Sequence, residues 1–466
     1  MPKSKMTLEE ILNALYQKAA DIAEGEGPDE LEKLSLRPEF REVIEVLLKE
    51  GQRSDLERKA MIATQEPEAP ARTIETTRQV CPERGRRTGS RIPAAGSSRQ
   101  VSLAVFYHRD HEGHLSREYP MESPQRVKSI VNSLRQRRFF AAPRCTLTEA
   151  PAATIEDLLC VHDAKYVAYI RNYSSKGGGS LPRNAYVSKG TWSAVLGAAG
   201  CALSAGEAVI GTADFAFALT RPPGHHAGRD TYGGFCLFNN AAILASSLFR
   251  QGRVMILNLD AHASDGTKRI FYDDPRVLTV SLHQDPSDFF PREGWTHEIG
   301  VGRGLGCAVN MPLPTGSGDS EYLRVFDSLV APLHDQFKPD FLIVECGFDA
   351  HHLDPLTDLA LTLNGYHALG QRLRSLRDGR TVFTLEGGYD SNTIGQLACA
   401  FISGLLSEPN PFPEEPVKAI AGSDDPLSYS LMDRPKAVKR APLEITVAVD
   451  EVVQRLRDDL GRWWRL

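Results

Sequence analysis

The sequence predicts an α/β domain, a mostly parallel sheet flanked by helices, preceded by a helical N-terminal extension. Three observations predict it. Five short apolar runs, Phe215 to Leu219, Val254 to Leu259, Val277 to Leu282, Phe341 to Cys346 and Thr381 to Leu385, alternate with helical stretches. That rhythm is the βαβ signature of a parallel sheet covered on both faces. Several of the runs end in polar, glycine-bearing loops, which places a site at the carboxyl ends of the strands. The composition changes near residue 100, so the sheet-forming domain is expected to span residues 101–466.

Taken in chain order, Thr7-Leu8-Glu9-Glu10 is a capping box that opens an amphipathic helix to about Ala23. Pro38 to Ala60 is a second helix with Phe40, Val43, Ile44, Val46, Leu47 and Leu48 on its apolar side. Residues 1–65 therefore read as a helical extension. Two short helices make a poor core alone, so they are expected to pack on the domain, on a second copy in a homo-oligomer, or on a partner. Residues 66–100 are rich in Pro, Arg, Ser, Thr and Gly, the composition of a disordered linker. Its Arg84, Arg86, Arg87 and Arg91 read as a solvated tether in preference to an anion-binding patch. Within the domain, Ser123 to Arg138 is a helix opening with Pro124, Gly190 to Ile210 a helix rich in Ala and Gly, and Asn239 to Gln251 another. Leu443 to Leu466 forms an amphipathic helix ending in Trp463-Trp464, expected to cover the domain.

With 466 residues, 41% of them hydrophobic, the chain can build one large domain and an appendage. A net charge of -6 excludes the basic signature of direct nucleic-acid binding. The eight cysteines show no CxxC spacing and several lie in apolar stretches. They are expected to be reduced, mostly buried thiols in a cytoplasmic or, in a eukaryote, nuclear compartment. No signal peptide is expected, and no apolar run is read as approaching the roughly 18 residues that span a membrane.

The motifs carry the chemistry. Arg221-Pro222-Pro223-Gly224-His225-His226-Ala227 sets two adjacent histidines on a Pro/Gly turn. Paired imidazoles at a sharp bend suit proton transfer near neutral pH; a surface turn is the plainer reading of that stretch alone. Downstream, Val254-Met255-Ile256-Leu257 leads into Asn258-Leu259-Asp260-Ala261-His262, and a period of two puts Asp260 and His262 on one face at the strand's end. Another apolar run, from Phe341, delivers Asp349. Two carboxylates and one imidazole leave a fourth position open for water, as in a catalytic metal site. The alternatives are a loop cap for Asp260 and a helix N-cap for Asp349. Thr381 to Leu385 ends in Glu386-Gly387-Gly388-Tyr389, whose glycines either present Tyr389 into a cleft or leave it packed over the turn. These strand ends together point to metal-assisted hydrolysis.

The same motifs, with Glu122-Ser123-Pro124-Gln125-Arg126, Leu159-Cys160-Val161-His162 and Thr279-Val280-Ser281-Leu282-His283, resemble in kind and order those of the histone deacetylase family, which includes class II deacetylases, bacterial deacetylase-like amidohydrolases and acetylpolyamine amidohydrolases. The resemblance runs from about Val101 to the C-terminus. It implies a single arginase/deacetylase-like domain in which Asp260, His262 and Asp349 bind zinc (Zn2+), with Fe2+ or Mn2+ accepted by the same ligands. It further implies hydrolysis of an acylated, in first place acetylated, lysine of a protein or peptide by metal-activated water. His226, backed by Asp265, would be the general base, His225 would stabilise charge or protonate the leaving amine, and Tyr389 would donate to the oxyanion. Gly234, Phe235 and Phe290 would line an apolar tunnel with Leu356 at its rim, and Arg126 would sit by the inner channel through which acetate leaves.

The chain also departs from the family. Where most members place an aspartate behind the first histidine, it has Asn258. An amide cannot stabilise an imidazolium as a carboxylate does, so His226 is expected to be the more basic of the pair. Asn258 also belongs, with Asp260, His262, Ser281 and Leu282, to the family's inner monovalent-cation site, so the change puts potassium (K+) binding in question. An arginase-like ureohydrolase would need a second metal and a further aspartate where this chain has His351. A silent binding module would have lost a ligand or Tyr389. An acetylpolyamine or other small amide is the alternative substrate; polyamine-selective members can carry an acid at the rim, where this chain has Leu356.

Overall fold

The computed structural model describes residues 101–211, 213–376, 380–412 and 442–466. The expected N-terminal helices and the linker of residues 66–100 lie outside the described residues. The main sheet has eight strands: β1 (Leu103–Tyr107), β2 (Cys145–Glu149), β5 (Phe215–Ala218), β6 (Val254–Asn258), β7 (Val277–Gln284), β8 (Ala308–Leu313), β9 (Phe341–Cys346) and β10 (Arg380–Leu385). A separate antiparallel hairpin pairs β3 (Gly178–Leu181) with β4 (Ala185–Ser188). The order across the main sheet is β2-β1-β5-β10-β9-β6-β7-β8, and every pair is parallel.

Alternation along the central strands sorts the core into two layers. Phe215, Phe217, Met255, Leu257, Leu342, Val344 and Phe383 face one side, with the helices Gln125–Gln136, Leu363–Ser375 and Ile394–Leu406 packed there. Ala216, Ala218, Val254, Ile256, Ile343 and Val382 face the other. That side carries the helix Thr191–Gly211, whose Ala- and Gly-rich sequence suits close approach to the small strand residues. At Gly200 a Cβ would lie 2.0 Å from the Pro151 carbonyl oxygen, so nothing larger fits without a shift.

Each of the five expected strands forms, with ends moved by at most two residues. The expected set omits β1, β2 and β8 of the main sheet and both strands of the β3–β4 hairpin. Both edge strands carry polar or proline residues, CTLTE in β2 and AVNMPL in β8, as edge positions tolerate. One expectation needs correction: Thr191–Gly211, 21 residues long, is apolar enough by length and composition to span a membrane. It is instead a mostly buried core helix. The C-terminal expectation holds, since Pro442–Leu460 buries Val449, Val452, Leu456 and Leu460, and Trp464 donates its Nε1–H to the Gly306 carbonyl at 2.7 Å. Among the described residues, six cysteines carry free thiols, five of them buried.

Candidate active site and metal centre

In sequence the strands β5, β6, β9 and β10 are far apart, but in the sheet they run side by side as β5-β10-β9-β6. Four neighbouring carboxyl ends therefore meet at one point. The loop after β5 brings His225 and His226, that after β6 brings Asp260 and His262, that after β9 brings Asp349, and that after β10 brings Glu386 and Tyr389.

Asp260 and Asp349 are wholly buried and both turn toward His262, whose Nδ1 lies 3.1 Å from Asp260 Oδ1 and 3.0 Å from Asp349 Oδ2. One potential ligand atom from each of the three lies within 4.8 Å of the others. Backbone N–H groups fix the carboxylates: Gly387 N donates to Asp260 Oδ2 at 2.6 Å and Ala261 N to Asp349 Oδ1 at 2.9 Å. The neighbouring glycines are required for this approach. A Cβ on Gly347 would meet Asp260 Oδ2 at 2.3 Å, and one on Gly387 would meet Asp349 Oδ2 at 2.3 Å. Burial opposes charge on His262, but Asp260 and Asp349 outweigh it and push the imidazole up to about 10. Two buried carboxylates on one imidazole leave negative charge that a divalent cation would balance, so these residues fit a metal.

The histidine turn is held from two sides. Glu386 Oε2 accepts from the backbone N–H of Gly224 at 2.7 Å and of His225 at 3.1 Å. A Cβ at Gly266, in the helix Asp265–Phe271, would meet the His226 carbonyl carbon at 2.4 Å, so glycine lets that helix abut the turn. His225 Nδ1 donates to Asn258 Oδ1 at 3.1 Å, and His226 Nδ1 pairs with Asp265 Oδ1 at 2.6 Å. Both predicted partnerships therefore form.

The expected order of basicity does not. Burial lowers His225, but Asp260, Glu386 and Glu345 outweigh it and raise this imidazole above its ordinary value. Burial followed by the neighbouring His225 lowers His226 to about 4, against the pull of Asp265. Asp265 does not serve His226 alone: its Oδ2 also lies 3.0 Å from Arg269 Nη1 and 3.2 Å from Arg183 Nη2. Asp260 Oδ1, by contrast, faces His225 Nε2 at 3.8 Å.

Tyr389 is buried, its ring edge-on to Phe235 at 5.4 Å, and burial pushes its phenol well above the usual range, leaving a neutral donor. Its backbone N–H donates to Asp354 Oδ2 at 2.7 Å, while Asp354 Oδ1 accepts from Leu356 N at 2.9 Å. Gly234, Phe235 and Phe290 come together as expected: Phe290 packs on His226 at 4.9 Å between ring centroids, and a Cβ on Gly234 would strike both rings. Gly234 and Phe235 adopt positive φ values of 50° and 66°. Their N–H groups donate to the carbonyls of Arg183 and Asn184, at the turn of the β3–β4 hairpin, both at 2.8 Å. Arg126 is wholly buried, donates to the carbonyls of Gly388 and Glu386, and lies over the Tyr389 ring at 4.9 Å. Ser281 lies against Asn258; Leu282 is buried beside it in β7.

Sequence reasoning gave no role to Glu386, Asp354, Arg183, Arg269, Phe289 or the buried Glu122–Arg221 pair. Phe289 stacks on His262 at 4.6 Å, and Glu122 accepts from Arg221 Nε at 2.9 Å. Glu386 was legible as an acid at a strand end, but its partners stand about 160 residues upstream.

A parallel sheet with polar side chains gathered at its central carboxyl ends defines an α/β enzyme whose site sits at the switch in strand order. The chain belongs to the histone deacetylase family: the model described as "Histone deacetylase domain" matches residues 120–405. It is 41% identical over 292 residues to a "Probable deacetylase" of Archaeoglobus fulgidus, covering 61% of this chain and 80% of that protein. Among solved structures it resembles the HDA15 HD domain (30% identity, TM-score 0.67, 78% of this chain and 95% of that one). It also resembles an acetylpolyamine aminohydrolase from Burkholderia pseudomallei (31% identity, TM-score 0.60, 65% and 98%).

Proposed function

We propose that this chain is a metal-dependent deacylase that hydrolyses the amide of an acetylated lysine side chain in a protein or peptide. The observation that carries the reading is the convergence of Asp260, His262 and Asp349 within 4.8 Å, beside a histidine pair and a neutral tyrosine. These three residues would hold Zn2+, or Fe2+ or Mn2+, since carboxylate and imidazole without thiolate suit all three. When bound, the cation supplies Lewis acidity to the amide carbonyl and acidity to a water molecule.

The other steps belong to the chain's own residues. His226, neutral at working pH, has a free Nε2 lone pair because its Nδ1–H is committed to Asp265, and it takes the proton from water. His225, the more readily charged ring, stabilises the developing charge and returns a proton to the leaving amine. The buried protonation order thus reverses the expected basicities while supporting the roles. Tyr389 donates to the oxyanion. Gly234, Phe235 and Phe290 shape the apolar approach, and Arg126 fixes the Glu386–Gly388 turn from behind. The structural likeness to an acetylpolyamine aminohydrolase keeps a small acetylated amine as a second reading. Profiling the metal-loaded protein against acetyl-lysine peptides, longer acyl-lysines and acetylpolyamines tests both; turnover of none of them would refute the deacylase reading.

A further inference from the structure

The family resemblance places a monovalent cation among oxygens from Asn258, Asp260, His262, Ser281 and Leu282, and the observed contacts there do not fit an ion. Asn258 Nδ2 donates to the His262 carbonyl at 2.8 Å, the Ser281 hydroxyl at 3.1 Å and the Asp260 carbonyl at 3.2 Å. Backbone carbonyls can only accept, so the atom facing them must be a donor or a cation. The amide nitrogen stands at that point, and its two hydrogens are shared among three acceptors.

We infer that the side-chain amide of Asn258 takes the place of the monovalent cation, so that this chain holds its inner ring of oxygens without potassium. The surrounding hydrogen bonds form one consistent chain. His283 Nε2–H donates to the Gly294 carbonyl at 2.9 Å, which leaves its Nδ1 to accept from the Ser281 hydroxyl at 2.9 Å and frees a Ser281 lone pair for Asn258. On its other side Asn258 Oδ1 must accept, which fixes the His225 Nδ1–H tautomer.

Charge explains why an amide serves here. Asn258 pairs with Glu345 in the β6–β9 register, and both are wholly buried. Glu345 Oε1 accepts from Thr267. An aspartate at 258 would add a further buried carboxylate beside Glu345, Asp260 and Glu386, and would call for a cation to offset it.

Melting, read independently of turnover, tests this. Divalent-loaded protein is compared in potassium, sodium and tetramethylammonium chlorides at equal ionic strength. The wild-type transitions should coincide; a saturable, potassium-specific rise in melting temperature would overturn the inference, because a ligand that binds the native state alone must stabilise it. Asn258→Asp should melt lower in tetramethylammonium and recover with potassium, or on addition of Glu345→Gln. A folded Asn258→Asp protein indifferent to both would count against the inference. Should that variant fail to fold, Ser281→Ala decides instead: its loss of stability should be the same in all three salts, and a loss confined to potassium would place the ion in the wild-type site.

Discussion

His225 and His226 are consecutive, with ring centroids 4.0 Å apart, yet their surroundings pull protons in opposite directions. His225 has an amide as its direct partner and three buried acids around it; His226 has a carboxylate as its direct partner, but two arginines share that carboxylate. The nearest hydrogen bond therefore does not decide which imidazole is the more basic. In a buried site the sum of charges within several ångströms decides, because little water is present to screen it.

The largest expected effect breaks the comparison at its source. Asp260→Asn and Asp349→Asn should each abolish hydrolysis and metal content together, and Asp260→Asn should also return His225 toward neutrality, seen in its imidazole nitrogen shifts. Elemental analysis showing full metal in both variants would remove this ligand set. Substituting the histidines sharpens the contrast. Each alanine variant should lose about 100- to 10,000-fold in turnover, the usual range for general acid–base groups. The two losses should differ in shape: His226→Ala should erase the acidic limb of the pH–rate profile and His225→Ala the alkaline limb. The opposite assignment of limbs would reverse the roles.

A smaller loss, about 100- to 1000-fold, is expected for Tyr389→Phe, which removes one oxyanion donor and touches neither histidine. Metal content and both limbs should survive; a profile that changes shape would tie Tyr389 to proton transfer. The smallest effect concerns stability. Away from the pair, burial lowers His111, His114 and His283 to about 4 and His162 to about 3. His162 works as the neutral form, accepting from Asn239 N at 2.9 Å and donating from Nδ1 to the Arg229 carbonyl at 3.2 Å. The unfolded chain binds more protons than the fold below the ordinary value of about 6.5, so stability should fall as pH drops from there toward 4. His162→Gln should flatten that fall in thermal melts; an unchanged slope would clear His162 of it.

Within the domain, the sequence by itself determined the five main strands, the two carboxylates and one imidazole at their ends, and the histidine pair; the pairing of His225 with Asn258 and of His226 with Asp265, 33 and 39 residues apart, came from the family resemblance. The former were legible because apolar runs and strand-end chemistry are local, and because Asp260 and His262 lie two residues apart on one strand's end. Tertiary structure alone decided which charges surround each imidazole. The insertion of β9 and β10 between β5 and β6 set Asp349 and Glu386 beside residues far upstream. It also set Glu345 opposite Asn258, while packing of the β3–β4 hairpin turn brought Arg183 to Asp265. Electrostatic sums and close backbone approaches depend on distance in space, and no spacing along the chain records it.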